Sequence, residues 1–97
     1  MPRMDKLSNY RTTIFMRDGW QCVVYAETII VRWNDDTILL NTGGWKSVTT
    51  KRKMNQASAQ FGLGFGVFQR KSAWYVQIGD NKPVQYLGDT FTIRRTN

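Results

Sequence analysis

Thr49-Thr50-Lys51-Arg52-Lys53 sets two hydroxyls and three cations on consecutive residues, where the chain begins what reads as its only helix. Such a cluster is suited to holding phosphate. A helix N-terminus carries partial positive charge and exposed N–H donors, so it favours anions and disfavours cations. Each cation placed there costs a few tenths of a kcal/mol, to about 1 at most. A bound phosphate reverses the sign of that penalty. Asn55 and Gln56 follow one turn later and carry the donors and acceptors to read a base edge or a sugar hydroxyl.

The surrounding charge is segregated. From Thr37 to Gly79 the chain holds six Lys or Arg in 43 residues and no Asp or Glu. Trp45-Lys46 precedes the helix, and Trp74-Tyr75 follows Arg70-Lys71. Aromatics interleaved with cations are what single-stranded nucleic-acid binders use, stacking bases while cations track the backbone. Strand alternation turns Trp74, Val76 and Ile78 to one face and Tyr75 and Gln77 to the other. Tyr75 and Trp45 are therefore the expected stacking groups, with Lys46, Arg70 and Lys71 as further phosphate contacts. Core filling competes for every aromatic, and two of the four tryptophans are expected inside.

Other chemistries lack their residues. There is no His, the commonest general base and transition-metal ligand. One cysteine, Cys22, excludes an internal disulfide and a zinc site, and its apolar run marks it as a buried structural thiol. Asp5, Asp18, Asp35, Asp36, Asp80 and Asp89 fall on expected turns or the polar start, and Asp35-Asp36 reads as a surface turn rather than a cation site. Only Glu27 reads as mid-strand, with no second carboxylate near it for acid–base work. Neither an enzyme, a metal centre nor a cofactor is expected. Gly62-Leu63-Gly64-Phe65-Gly66 follows the helix and opens a strand, the reverse of a dinucleotide-binding turn. It reads as a helix stop, then close backbone approach within a strand.

The elements that position these residues are read from periodicity and turns. Residues 1–8 form a polar, flexible start, and 9–97 form one domain. In the first strand, Tyr10, Ile14 and Met16 share a parity opposite to Arg11, Thr13 and Arg17. Asp18-Gly19 signals a tight hairpin. Trp20 to Trp33 is one long bent strand, or two broken near Ala26-Glu27, and Thr37 to Asn41 is the next. A helix over about 50–61 has Thr49 or Thr50 as N-cap, Met54, Ala57 and Phe61 as its buried stripe, and Gly62 as C-cap. Strands at Phe65–Arg70, Ala73–Ile78, Pro83–Leu87 and Thr90–Arg95 follow, joined by short connections. The expected class is α+β: one curved, mainly antiparallel sheet of six or seven strands with a short inserted helix.

With 97 residues, 41% of them apolar and 13% aromatic, the chain can build a core. A formal charge of +7 and a pI near 10.0 suit polyanionic partners. No apolar run is long enough to span a bilayer and no secretory segment is visible, so a cytoplasmic protein without a membrane partner is expected. Strand edges leave pairing into a homodimer open.

The stretch from Asn41 to Ser58, with Thr49-Thr50 leading into Lys51-Arg52-Lys53-Met54-Asn55-Gln56, is followed by Gly66-Val67-Phe68-Gln69 and Trp74-Tyr75-Val76. This arrangement resembles a pattern in small proteins of tailed bacteriophages. The resemblance implies a protein made during infection and acting on host or phage macromolecules, and it transfers no catalytic or binding residue. Three roles fit: a non-enzymatic nucleic-acid or nucleotide-binding module, an inhibitor docking its basic face on an acidic host protein surface, and a virion component facing packaged DNA. The first is the expected one.

Overall fold

The computed structural model describes residues 11–44 and 46–95; the expected flexible start (1–8), Tyr10 and Trp45 lie outside them. Four strands come first: β1 (Thr12–Arg17), β2 (Trp20–Tyr25), β3 (Thr28–Trp33) and β4 (Thr37–Asn41). Helix α1 (Val48–Phe61) follows, then β5 (Phe65–Arg70), β6 (Ala73–Ile78), β7 (Val84–Gln85) and β8 (Thr90–Arg94). The strands do not form one sheet. They make a five-stranded antiparallel sheet, ordered β1-β2-β3-β4-β8, and a three-stranded one, ordered β5-β6-β7. The division arises because β8 returns to pair with β4, Asn41 opposite Thr90, rather than extending the β7 edge.

Turn chemistry sets the registers. Asp18 and Gly19 both adopt positive φ, 52° and 83°, as a two-residue primed turn requires. Ala26-Glu27 is a second two-residue turn, so the run from Trp20 to Trp33 is two strands and Glu27 is not mid-strand. The described carboxylates thus all lie in turns or bends. A register shift beside Val24 inserts Ile30 as an extra residue, and Ile30 and Val31 are both buried although they are neighbours in sequence. In β1 the apolar parity is not buried: Ile14 is 43% and Met16 65% exposed.

Buried side chains from both sheets and the helix form one cluster, including Val31, Leu40, Ile93, Met54, Val67 and Val76. Burying each large aliphatic side chain contributes about 1.5–3 kcal/mol. Among the described residues, Trp33 and Trp74 are the buried tryptophans. Cys22 is buried as a free thiol on strand β2.

Helix α1 starts two residues earlier than expected, and neither Thr49 nor Thr50 is its cap. Ser47 has the extended backbone of an N-cap, and its Oγ accepts a 3.1 Å bond from the Thr50 N–H. Serine outcompetes the threonines because Val48 and Thr49 already adopt helical geometry. The helix ends as expected on Gly62, which takes the left-handed conformation (φ 64°) and donates to the Ser58 carbonyl. Within the stripe, Met54 and Ala57 are buried, and Phe61 is half-buried against Trp33.

The same helix seals an edge of the smaller sheet. Asn55 Nδ2 donates to the Val67 carbonyl at 2.8 Å, and its Oδ1 accepts from the Val67 N–H at 2.7 Å. Ser58 Oγ does likewise for Phe65, donating to its carbonyl at 2.6 Å and accepting from its N–H at 3.0 Å. These side chains, three residues apart on one helix face, replace the strand that β5 lacks on that side.

Candidate nucleic-acid interface

Capping by Ser47 moves the three cations out of the first helical turn, which is Val48-Thr49-Thr50. The electrostatic penalty expected there is largely absent, because the macrodipole effect fades beyond that turn. The cations also diverge. Residues two apart on a helix point to nearly opposite sides, and the ammonium of Lys51 lies 5.9 Å from the Trp74 ring while that of Lys53 lies 5.7 Å from the Tyr25 ring. Lys53 is buried, and desolvation lowers its pKa from the ordinary lysine value. Arg52 alone of the three is exposed.

The neighbouring groups are largely engaged in the fold. Thr50 is buried and its Oγ1 accepts from Ser47 Oγ at 3.0 Å; Thr49 is half-buried. Lys46 Nζ donates to the Tyr86 carbonyl at 3.0 Å, close to the Tyr86 and Trp74 rings. Tyr86 is fully buried, its hydroxyl donating to the Asp89 carbonyl, and burial with the nearby Asp89 charge raises its pKa. Asn55 is bonded to Val67, and Gln56 is buried with Oε1 unbonded. A hollow of about 350 Å³ beside the helix start is lined by Arg11, Tyr25, Thr28, Thr42, Ser47 and Thr50. Its Thr42 hydroxyl already donates to Asp89 and its Ser47 hydroxyl to Thr50.

A different arrangement stands on the outer face of β5 and β6. Phe65 and Val67 point inward, as do Trp74 and Val76, and all four are buried. The alternate residues face out: Gly66 is opposite Gln77, and Phe68 is opposite Tyr75. Tyr75 and Gln77 thus face away from Trp74 and Val76, as alternation predicts. The Phe68 and Tyr75 rings stack at 5.6 Å between centroids with 20° between their planes, and both are half-exposed. The Arg70 guanidinium lies 5.8 Å from the Phe68 ring centre, and the exposed Lys71 follows in the hairpin turn. The structure therefore brings Arg70 and Tyr75 to one face, with Lys71 in the turn that borders it, while Lys51 lies by Trp74 on the inner side.

Phe68 was missed in the sequence, although a signal was present. A two-residue turn at Lys71-Ser72 places the third residue before it opposite the third after it, which pairs Phe68 with Tyr75. That turn is itself strained. Lys71 and Ser72 hold φ of 50° and 70°, a conformation that non-glycine residues enter at about 1–2 kcal/mol each. Lys71→Asn with Ser72→Gly should therefore stabilise the fold by about 1–2 kcal/mol, raising Tm by roughly 5–10 °C in a thermal melt. An unchanged or lower Tm would show that the turn is relaxed.

Cation–aromatic pairs also occur on the larger sheet, Arg17 with Phe15 and Arg32 with Trp20, but the turns bordering that sheet carry Asp18, Glu27, Asp35 and Asp36. Strands β5 and β6 and helix α1 lie entirely within the acid-free segment Thr37 to Gly79.

Taken together, the molecule is a small α+β protein with two antiparallel sheets, a helix closing one sheet edge, and a basic aromatic outer face. A family model matches residues 2–94: the chain belongs to the Kyanoviridae Gp96 protein family and is a bacteriophage protein. No curated protein matches it. No solved structure matches it either. Among the described residues, no helix is long and apolar enough to cross a membrane, and no cluster of three or more His, Cys, Asp or Glu could hold a metal ion.

Proposed function

We propose that this phage protein is a non-enzymatic nucleic-acid-binding module whose contact surface is the outer face of β5 and β6. The observation that carries this reading is the stacked Phe68–Tyr75 pair, outward-facing and flanked by Arg70 and Lys71 in an acid-free part of the chain. Aromatic faces accept unpaired bases of any sequence, while adjacent cations follow the phosphates. Lys51 and the exposed Arg52 add to the positive charge of the acid-free segment from the helix, apart from this face. The net charge of +7 favours fast capture of polyanions.

Fluorescence anisotropy with labelled single-stranded DNA and RNA tests the reading. Log affinity should fall linearly with log salt, and Arg70→Ala with Lys71→Ala should reduce the slope by about 0.7 for each phosphate no longer neutralised. Failure to bind any oligonucleotide at low salt, with a stoichiometric protein partner retained from nuclease-treated host lysate, would replace this reading with the host-protein inhibitor.

A further inference from the structure

We infer that the cleft beside Phe68 is a pocket for one unpaired nucleobase of a single-stranded nucleic acid, a site that rests on the nucleic-acid reading above. The cleft is a shallow depression, wide open to solvent, of about 350 Å³ on the edge of the smaller sheet where helix α1 meets β5. Three of its lining residues, Gly64, Gly66 and Gly79, have no side chain, so a flat group can approach the backbone closely. Phe68 forms one wall and continues into the stacked pair with Tyr75.

The polarity of the lining distinguishes a base from a phosphate. Among the described residues, no charged side chain lines the cleft, whereas Arg70 and Lys71 stand just beyond it at the hairpin turn. A neutral, planar group with edge donors and acceptors fits; a phosphate does not. Two lining side chains have capacity to read such an edge. Gln77 donates through Nε2 to the Asn81 carbonyl, leaving Oε1 to accept. Asn55 uses one Nδ2 hydrogen on the Val67 carbonyl, leaving the other to donate. Duplex bases have their edges paired and their faces stacked, so the pocket selects single strands.

Gly66 gives a clean test. It lies in a regular strand, and a Cβ built there meets nothing within 4 Å, so a side chain fills the cleft without displacing the fold. Gly66→Val should retain the wild-type melting temperature or exceed it, yet weaken binding of a single-stranded oligonucleotide at least tenfold, which is what losing one stacked base amounts to, roughly. Gly66→Ala should give a smaller loss and serves in place of Gly66→Val should the latter melt early. The same oligonucleotide with abasic sites throughout should bind weakly and be indifferent to both substitutions. Wild-type affinity in a folded Gly66→Val protein overturns the pocket while leaving the Phe68–Tyr75 surface standing. Binding of free mononucleotides as tight as that of oligonucleotides overturns the single-strand assignment. If the wild-type protein binds no oligonucleotide at all, the nucleic-acid reading itself fails.

Discussion

Asn55→Ala combined with Ser58→Ala should destabilise the protein by about 4 kcal/mol, the largest stability loss expected from any pair of polar substitutions here. The two side chains satisfy four backbone groups, the N–H and C=O of Phe65 and of Val67. Leaving a buried donor or acceptor unpaired costs about 1–3 kcal/mol. The Ser58 pair is buried and should carry most of the loss; the Asn55 pair is partly wet, so water recovers some of it. Alanine's better helix propensity returns only about half a kcal/mol at each site. For a domain with roughly 5–15 kcal/mol in total, the change is severe. Denaturant titration reads it directly. Asn55→Asp separates the two Asn55 bonds, because a carboxylate still accepts from the Val67 N–H but cannot donate to its carbonyl. The double variant should also self-associate on size-exclusion chromatography, since it bares the outer edge of β5. A loss under about 1 kcal/mol would mean that the edge does not depend on these hydrogen bonds.

Phe68→Ala and Tyr75→Ala should each weaken single-stranded oligonucleotide binding roughly tenfold or more, and together abolish it at moderate salt. Stability should change far less, because both rings are half-exposed on the outer face and their cross-strand pairing contributes only about 0.2–1 kcal/mol. Tyr75→Phe keeps the ring and should bind like wild type, which separates stacking from any role of the hydroxyl. Equilibrium titrations at two salt concentrations check the origin of the effect. Removing a stacking ring shifts affinity equally at both, whereas removing a cation that holds a phosphate changes the salt slope. Full-strength binding by the double variant, with weakening only on replacing Arg70 and Lys71, would reduce the surface to a charge patch.

Strands were legible where turns mark them, as at Asp18-Gly19 and Lys71-Ser72. Ala26-Glu27 carries no glycine, asparagine or aspartate, so the sequence left a bend and a break there equally open. Partner choice between distant strands was not legible, since alternation states which residues face inward but not which strand lies alongside. The β4–β8 pairing, and with it the division into five plus three strands, is of this kind. The helix start was misplaced by a competition between adjacent hydroxyl residues, in which Ser47 prevailed over Thr49 and Thr50. That error moved the cations into the first turn and gave the basic segment more weight as an anion site than its geometry supports. Asn55 carried a readable hint that it serves the fold. It and Ser58, both poor helix formers, share a face three residues apart, immediately before a strand.

Strand β8 completes the larger sheet only by reaching back to β4 across the whole helix and smaller sheet. Pairings so far apart in the chain form slowly, because loop closure must precede any reward. The helix, β5 and β6 are bound by neighbours within a few dozen residues and can assemble early. During synthesis, then, β4 waits with an open side until β8 leaves the ribosome, an interval in which this protein is exposed to mispairing.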